Sequence, residues 1–164
     1  MPLAIDFHVH LPTTEFMRVT LGPYAQAAER YFGTEVKLRD IEQIAADYME
    51  LDMIGVLLAW DAETATGLPP LGNEYIADIV ERYPQQFIGF ASVDPHKGKG
   101  AIREIERAIK ELGLAGAKFH PGVQVFCVQL RIEFLFPFGL FCCIGIGKPH
   151  QLLCMHAIER KKKH

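Results

Sequence analysis

The sequence has no cysteine before residue 127, and its first residues lack the basic start and the cleavage site of a signal peptide. We therefore expect a cytoplasmic protein. In that setting the four cysteines, all between residues 127 and 154, are expected to be reduced thiols and not a disulfide framework.

Excess positive charge and long apolar runs are also missing. The 17 lysines and arginines against 20 aspartates and glutamates give a net charge of -3, so we expect no nucleic-acid partner. The longest apolar run, 134–147, is shorter than the roughly 20 residues that cross a bilayer, and Pro137 interrupts it. We therefore expect no membrane span.

Acidic residues become scarce towards the end of the chain. Residues 1–121 hold eleven basic and eighteen acidic side chains, whereas the rest holds six basic side chains and only Glu133 and Glu159. This shift suggests a division into residues 1–123 and an atypical apolar and basic tail, 124–164. The tail is either native or an out-of-frame or spliced extension.

The first 120 residues contain alternating strand and helix patterns. The predicted strands are 3–10, 53–60, 87–93 and 114–120, and the predicted helices are 25–32, 38–51, 73–83 and 100–112. Asn73 is a candidate N-cap, and Gly113 is a candidate left-handed C-cap. Strands that are apolar almost throughout indicate a parallel sheet covered on both faces, so the sequence predicts an α/β fold.

Two histidines on the first predicted strand form a candidate metal site. Alternate side chains of a strand share a face, so we expect Asp6, His8 and His10 to point the same way. Two imidazoles at a strand end can bind one divalent metal, which activates water or polarises a carbonyl. The alternative is an inert, hydrogen-bonded pair. Asp6 either orients a ligand or bonds to the backbone or a neighbouring side chain.

Three segments in order carry a family resemblance: DFHVH at 6–10, GFASVDP at 89–95 and GAKFHP at 116–121. Over residues 3–124 the chain resembles the amidohydrolase-related metal-dependent hydrolases, which include enzymes like aminocarboxymuconate-semialdehyde decarboxylase. The resemblance implies a (β/α)8 barrel with its site at the carboxyl ends of the strands. It also implies a divalent metal, zinc or alternatively manganese, with His8 and His10 as ligands.

A complete barrel of this type needs about 250 residues. We therefore expect a partial TIM-type barrel, the first four βα units followed by the atypical tail. The family's other ligands and its catalytic histidine lie on later strands, and His156 is not assigned to them. An open sheet edge would also favour pairing with another copy, so a homo-oligomer is a further expectation.

Four more side chains are candidates for contact with a small-molecule substrate. Lys118 and His120 share a face of the fourth strand, where His120 is the predicted catalytic proton donor. Lys118 either binds substrate or forms an inward ion pair. Trp60, at the end of the second strand, either lines the cavity or packs. Arg18, in the first loop, is a candidate partner for a substrate carboxylate.

The predicted activity is metal-dependent hydrolysis of a C–N or C–O bond in a small organic acid, amide, ester or lactone. One alternative is metal-dependent, non-oxidative decarboxylation of an unsaturated or aromatic acid. The other is a catalytically inactive, truncated fragment or interaction protein, because half of the barrel has no counterpart in this sequence.

Overall fold

The structure is a computed structural model that describes residues 2–126 and the backbone of 143–145 and 152–154. The strands are β1 (Ala4–Val9), β2 (Met53–Leu58), β3 (Phe87–Ala91), β4 (Gly116–Ala117), β5 (Cys143–Gly145) and β6 (Leu152–Cys154). The helices are α1 (Pro23–Phe32), α2 (Ile41–Glu50), α3 (Glu63–Thr66), α4 (Asn73–Arg82), α5 (Lys99–Lys110) and α6 (Pro121–Gln124). A π-helical segment (Glu15–Thr20) follows β1, and a 3-10 turn (Pro95–Lys97) precedes α5.

Strands β1 to β4 form one parallel sheet in the order β1-β2-β3-β4. Helices α2, α4 and α5 each lie between two consecutive strands, so the four strands build the curled half-barrel that the sequence predicts. Strands β5 and β6 form a separate antiparallel pair in which Cys143 lies opposite Cys154.

The face of the sheet covered by helices holds the larger hydrophobic cluster. Phe87 is 1% exposed and packs there with Ile76 and Ile79 of α4. A Cβ atom added to Gly89 would lie 2.6 Å from a methyl carbon of Leu114, so glycine permits this close approach. The opposite face, which becomes a barrel interior, carries a smaller cluster. It consists of Val56, Leu58 and Phe90 with Phe7 and Ile88 packed against them.

The predicted cap at Asn73 is wrong. Helix α4 begins at Asn73 itself, and Gly72 is the N-cap. The Asn73 amide instead accepts a hydrogen bond from the Ser92 N–H at 2.9 Å and donates to Glu104 at 2.7 Å. It therefore joins α4 to the end of β3 and to α5. Gly113 does adopt the left-handed region, with a φ of +71°.

Element lengths depart most from the sequence pattern at the fourth strand, where β4 has two paired residues instead of the predicted seven. Residues 127–142, 146–151 and 155–164, which make up most of the atypical tail, lie outside the described residues. Within the part of the chain that the structure describes, no helix is long and apolar enough to cross a membrane.

Candidate active site

A β-bulge in β1 sets the direction of the candidate metal ligands. Asp6 lies opposite Gly55 and Val9 opposite Leu57, so β1 advances three residues while β2 advances two. An extra residue shifts the alternation of side chains by one position. The prediction that Asp6 shares a face with His8 and His10 is therefore wrong.

Asp6 turns towards helix α2, and its carboxylate is fully engaged there. One oxygen accepts a hydrogen bond from the Tyr48 hydroxyl at 3.1 Å, and the other accepts the His8 N–H at 3.1 Å. Burial, and then the charge of Asp6, raise the pKa of Tyr48 to about 12. The structure thus matches the alternative in which Asp6 bonds to the backbone and to a neighbouring side chain. These two bonds stabilise the bulge from the side of helix α2.

His8 and His10 converge at the carboxyl end of β1. Their Nε2 atoms are 3.1 Å apart, and their rings meet edge to face. The His10 ring is held between two aromatic side chains. It stacks on Phe16 of the π-helical segment with an interplanar angle of 7°, and it contacts the edge of Trp60 at a centroid distance of 5.4 Å.

Both imidazoles are neutral at pH 7. Burial, and then the charges of His8, Lys118 and His120, lower the pKa of His10 to about 3. Burial and the charge of Lys118 lower the pKa of His8, while Asp6 opposes the shift. Neutral imidazole is the form that binds metals, so the pair has the required protonation state.

The spacing of the pair suits two ligands of one divalent ion. Two nitrogens bound about 2.1 Å from a metal lie roughly 3.0 Å apart at a right angle and roughly 3.4 Å apart at a tetrahedral angle. The observed 3.1 Å falls between these values. Within residues 2–126, however, no group of three or more histidine, cysteine, aspartate or glutamate side chains converges. The described residues thus fit two coordination positions, whereas catalytic zinc sites use three protein ligands.

The nitrogens of the pair are incompletely satisfied by hydrogen bonds. Lys118 Nζ donates to His8 Nε2 at 3.2 Å, on the same nitrogen that faces His10. A neutral imidazole nitrogen has one lone pair and cannot accept from both neighbours. Nδ1 of His10 is buried and has no hydrogen-bond partner among the residues that the structure describes. The surroundings of this pair are therefore better suited to binding a further group than to a closed hydrogen-bond network.

The predicted residues of the fourth strand lie beside the pair. Lys118 is 3% exposed, and the His120 ring lies 5.3 Å from the Trp60 ring. Burial, and then the charges of Lys118 and His8, lower the pKa of His120 to about 4. His10, Trp60, Lys118 and His120 line a cavity of about 10 Å³, which is room for one water molecule.

Arg18 is not among the side chains that line this cavity. It is exposed on the π-helical segment, and its predicted contact with a substrate carboxylate stays a prediction. Polar lining residues outside the predicted set include Ser92, whose hydroxyl accepts the Asp61 N–H at 3.3 Å, and Gln124. Ser92 lies within the GFASVDP segment, where no role was predicted for its side chain, and Gln124 follows no periodic or motif pattern that would single it out.

The low pKa of His120 predicts a pH-dependent loss of stability. In the unfolded chain this histidine takes up a proton near pH 6.5, whereas in the fold it does so near pH 4. Between these values the unfolded state binds more protons, so the free energy of unfolding falls as pH decreases through this window. The stabilisation that is lost amounts to at most about 3 kcal/mol, and the loss is complete below pH 4. Urea unfolding of His120→Gln at pH 7, 5 and 4 should show a shallower decline than the wild type, and equal declines would contradict this assignment.

The fold and the site together define a class of protein. A half-barrel of parallel βα units carries paired imidazoles at the carboxyl end of its first strand, which is where barrel enzymes place their chemistry. The profile of the amidohydrolase family, Amidohydro_2, matches residues 5–126. The chain belongs to the amidohydrolase family.

Curated relatives are similar over part of their length. The chain is 33% identical over 82 residues to gamma-resorcylate decarboxylase of Polaromonas sp., covering 50% of this chain and 25% of that protein. It is 29% identical over 93 residues to 2-amino-3-carboxymuconate-6-semialdehyde decarboxylase of Dictyostelium discoideum, covering 56% and 24%. The chain therefore spans about a quarter of the length of these relatives.

A solved structure supports the fold. A TIM-barrel protein from Bordetella bronchiseptica matches with a TM-score of 0.56 and 22% identity. The match covers 74% of this chain and 45% of that one. The similarity places the described strands in a TIM-type barrel.

Proposed function

We propose that this chain carries the metal-binding half of a metal-dependent hydrolase that acts on a small organic acid, amide, ester or lactone. The observation that supports this most is the pair of neutral imidazoles whose Nε2 atoms lie 3.1 Å apart at the end of β1. In this proposal His8 and His10 bind one divalent ion, zinc or manganese. The fit of two nitrogens to one ion supports their role.

A divalent metal at this position would supply Lewis acidity and an activated water. His120 is the proposed proton carrier, because its imidazole is neutral at pH 7 and reaches the same cavity as His10. The ammonium group of Lys118 would attract an anionic group of the substrate. Trp60 forms a wall between the two histidines His10 and His120 and keeps bulk water from their rings.

Decarboxylation is the second candidate activity. It is favoured by the two curated relatives named above, both of which are decarboxylases. The same residues would serve: the ion and Lys118 would orient the carboxylate of the substrate. His120 would take a proton from solvent water and transfer it to the carbon that loses CO₂.

A third candidate is an inactive fragment or an interaction protein. Two observations favour it. The described residues supply only two candidate metal ligands, and the similarity covers only about a quarter of the relatives' length. Residues 124–164 are, in this proposal, an extension foreign to the barrel. The edges of β1 and β4 are proposed to pair with a second copy, which would return the half-barrel to a closed sheet.

Metal content and product analysis test these proposals on the full chain. After removal of metal and reloading with Zn²⁺ or Mn²⁺, we expect about one ion per site by elemental analysis. Hydrolysis products from a panel of small amides, esters and lactones would support the first activity, and CO₂ release from dihydroxybenzoates would support the second. A chain that elutes as a monomer and retains neither metal contradicts both activities and supports the inactive fragment.

A further inference from the structure

Gln124 is a buried polar side chain that the proposed chemistry does not use. It is 2% exposed and ends the one-turn helix α6, which begins directly after His120. Burying an amide is costly unless its hydrogen bonds are made. Its partners therefore indicate what this side chain is placed to do.

The side-chain amide of Gln124 bonds to three separate strand ends. Its oxygen accepts the backbone N–H of His120 at 2.8 Å, after β4. Its nitrogen donates to the carbonyl of Asp61 at 2.6 Å, after β2, and to the carbonyl of Val93 at 2.8 Å, after β3. An amide has two donor hydrogens and an acceptor oxygen, and here each of them is used.

The orientation of this amide is unambiguous. Reversing it would place the oxygen against two carbonyl oxygens and the nitrogen against an N–H, so all three bonds would become repulsive. Asp61, Val93 and His120 follow β2, β3 and β4, so these backbone groups lie beyond the paired parts of the strands in the described region. Buried backbone groups of this kind need another hydrogen-bond partner. Gln124 supplies that partner for all three groups.

The backbone of His120 is held on both sides by the same turn. Its N–H is bound by the side chain of Gln124, and its carbonyl accepts the N–H groups of Val123 and Gln124 at 2.9 Å each. The imidazole of His96 donates to the carbonyl of Gln124 at 2.8 Å, which fixes the turn from outside. Val125 then adopts a φ of +52°, which β-branched residues rarely do.

We infer that Gln124 is a positioning residue, which holds His120 against Trp60 by joining the ends of β2, β3 and β4 through one amide. The importance of Gln124 for catalysis rests on the proposed role of His120. The position of the His120 ring, in contrast, can be measured without a substrate. Losing the amide would leave the Asp61 and Val93 carbonyls without a donor. The turn would then open, and the His120 ring would move towards solvent.

Trp60 provides the readout, because it is the only tryptophan in the chain and its ring contacts that of His120. A protonated imidazole quenches indole emission, so the pH profile of Trp60 fluorescence reports protonation of its neighbours. The charged and titratable groups around His120 are Lys118, His8 and His10, and Asp61 lines the same cavity. His10 also touches Trp60. The wild type should show a midpoint near pH 4.

Two variants of equal length remove the amide. Gln124→Glu keeps an acceptor for the His120 N–H and replaces the two N–H donors with at most one O–H donor, present only when the carboxyl is protonated. Gln124→Met loses all three bonds. Each should move the midpoint up by at least about one pH unit, towards the value of a solvated imidazole. The control Gln85→Glu makes the same charge change at an exposed position and should leave the profile unchanged.

A double-mutant cycle separates positioning from general destabilisation. In a His120→Gln background, Gln124→Glu should no longer shift the Trp60 profile. A shift that persists in that background, or a midpoint unchanged in both Gln124 variants, would overturn the inference. The failure of the proposed function would instead appear as absent Zn²⁺ binding in the wild type, and the Trp60 profile does not depend on it.

Hydrogen exchange of the wild type keeps the inference testable if both variants fail to fold. The His120 amide and the side-chain amide of Gln124 should exchange at least about 100-fold more slowly than the side-chain amide of Gln85. Exchange of the Gln124 side-chain amide at the rate of Gln85 would contradict the bonding on which the inference depends.

Discussion

Replacing His8 or His10 with alanine is expected to weaken Zn²⁺ or Mn²⁺ binding by at least about 100-fold, or roughly 2.7 kcal/mol. Residues that only orient a ligand typically change metal affinity by 10- to 100-fold, so losing a direct ligand should cost at least the upper value. The two imidazoles face each other at 3.1 Å, and removing either leaves one ligand among the described residues that converge there. Isothermal titration of metal-free protein measures the effect.

His96→Ala is a matched control for this experiment. His96 is exposed, and its Nε2 bonds to the Gln124 carbonyl and not to the pair at β1. Its loss should leave metal affinity within about threefold of the wild type. Equal losses in the three variants would indicate non-specific binding by histidines and would contradict the assignment of His8 and His10. Far-UV circular dichroism of each variant checks that the fold is retained.

Replacing Phe87 with alanine is expected to lower the free energy of unfolding by about 4 kcal/mol. Its ring lies under α2 and α4, with centroid distances of 5.3 Å to Tyr48 and 6.3 Å to Tyr83. The loss combines the removed apolar surface with the cavity that rigid neighbours leave unfilled. Because whole domains are stable by about 5–15 kcal/mol, this single change should leave the protein only marginally folded.

Phe32→Ala makes the same chemical change where little is buried. Phe32 ends α1 with 73% of its surface exposed, so the expected change is within about 0.5 kcal/mol. Urea unfolding followed by circular dichroism compares the two variants. A similar loss in both would mean that the sheet does not pack on α2 and α4 as described.

Much of the fold follows from local patterns in the sequence. The four strands and the helices α2, α4 and α5 were predicted in the correct order, since the periods of strands and helices are properties of short segments. The candidate site was partly predictable for the same reason. His8 and His10 lie two residues apart near a strand end, and the structure brings them together.

Other parts of the site depend on partners distant in the chain. The bulge that separates Asp6 from the histidines exists because β1 pairs with β2 in a particular register, and one strand alone does not specify its register. The side chain of Asn73 bonds to Ser92 and Glu104 and does not cap a helix. These contacts exist only after α4 has packed on β3 and α5.

The sequence by itself determined the order of the βα units, the family and the candidate ligands, because each can be recognised from short segments taken one at a time. Only the tertiary structure decided which way Asp6 points, how His120 is held and what Gln124 does. Gln124 bonds to groups 63 and 31 residues earlier in the chain, and such contacts arise when separate strand ends meet. The local periodicity of a sequence does not predict such contacts. It indicates which residues share a face of one helix or strand, but not which other elements pack beside it.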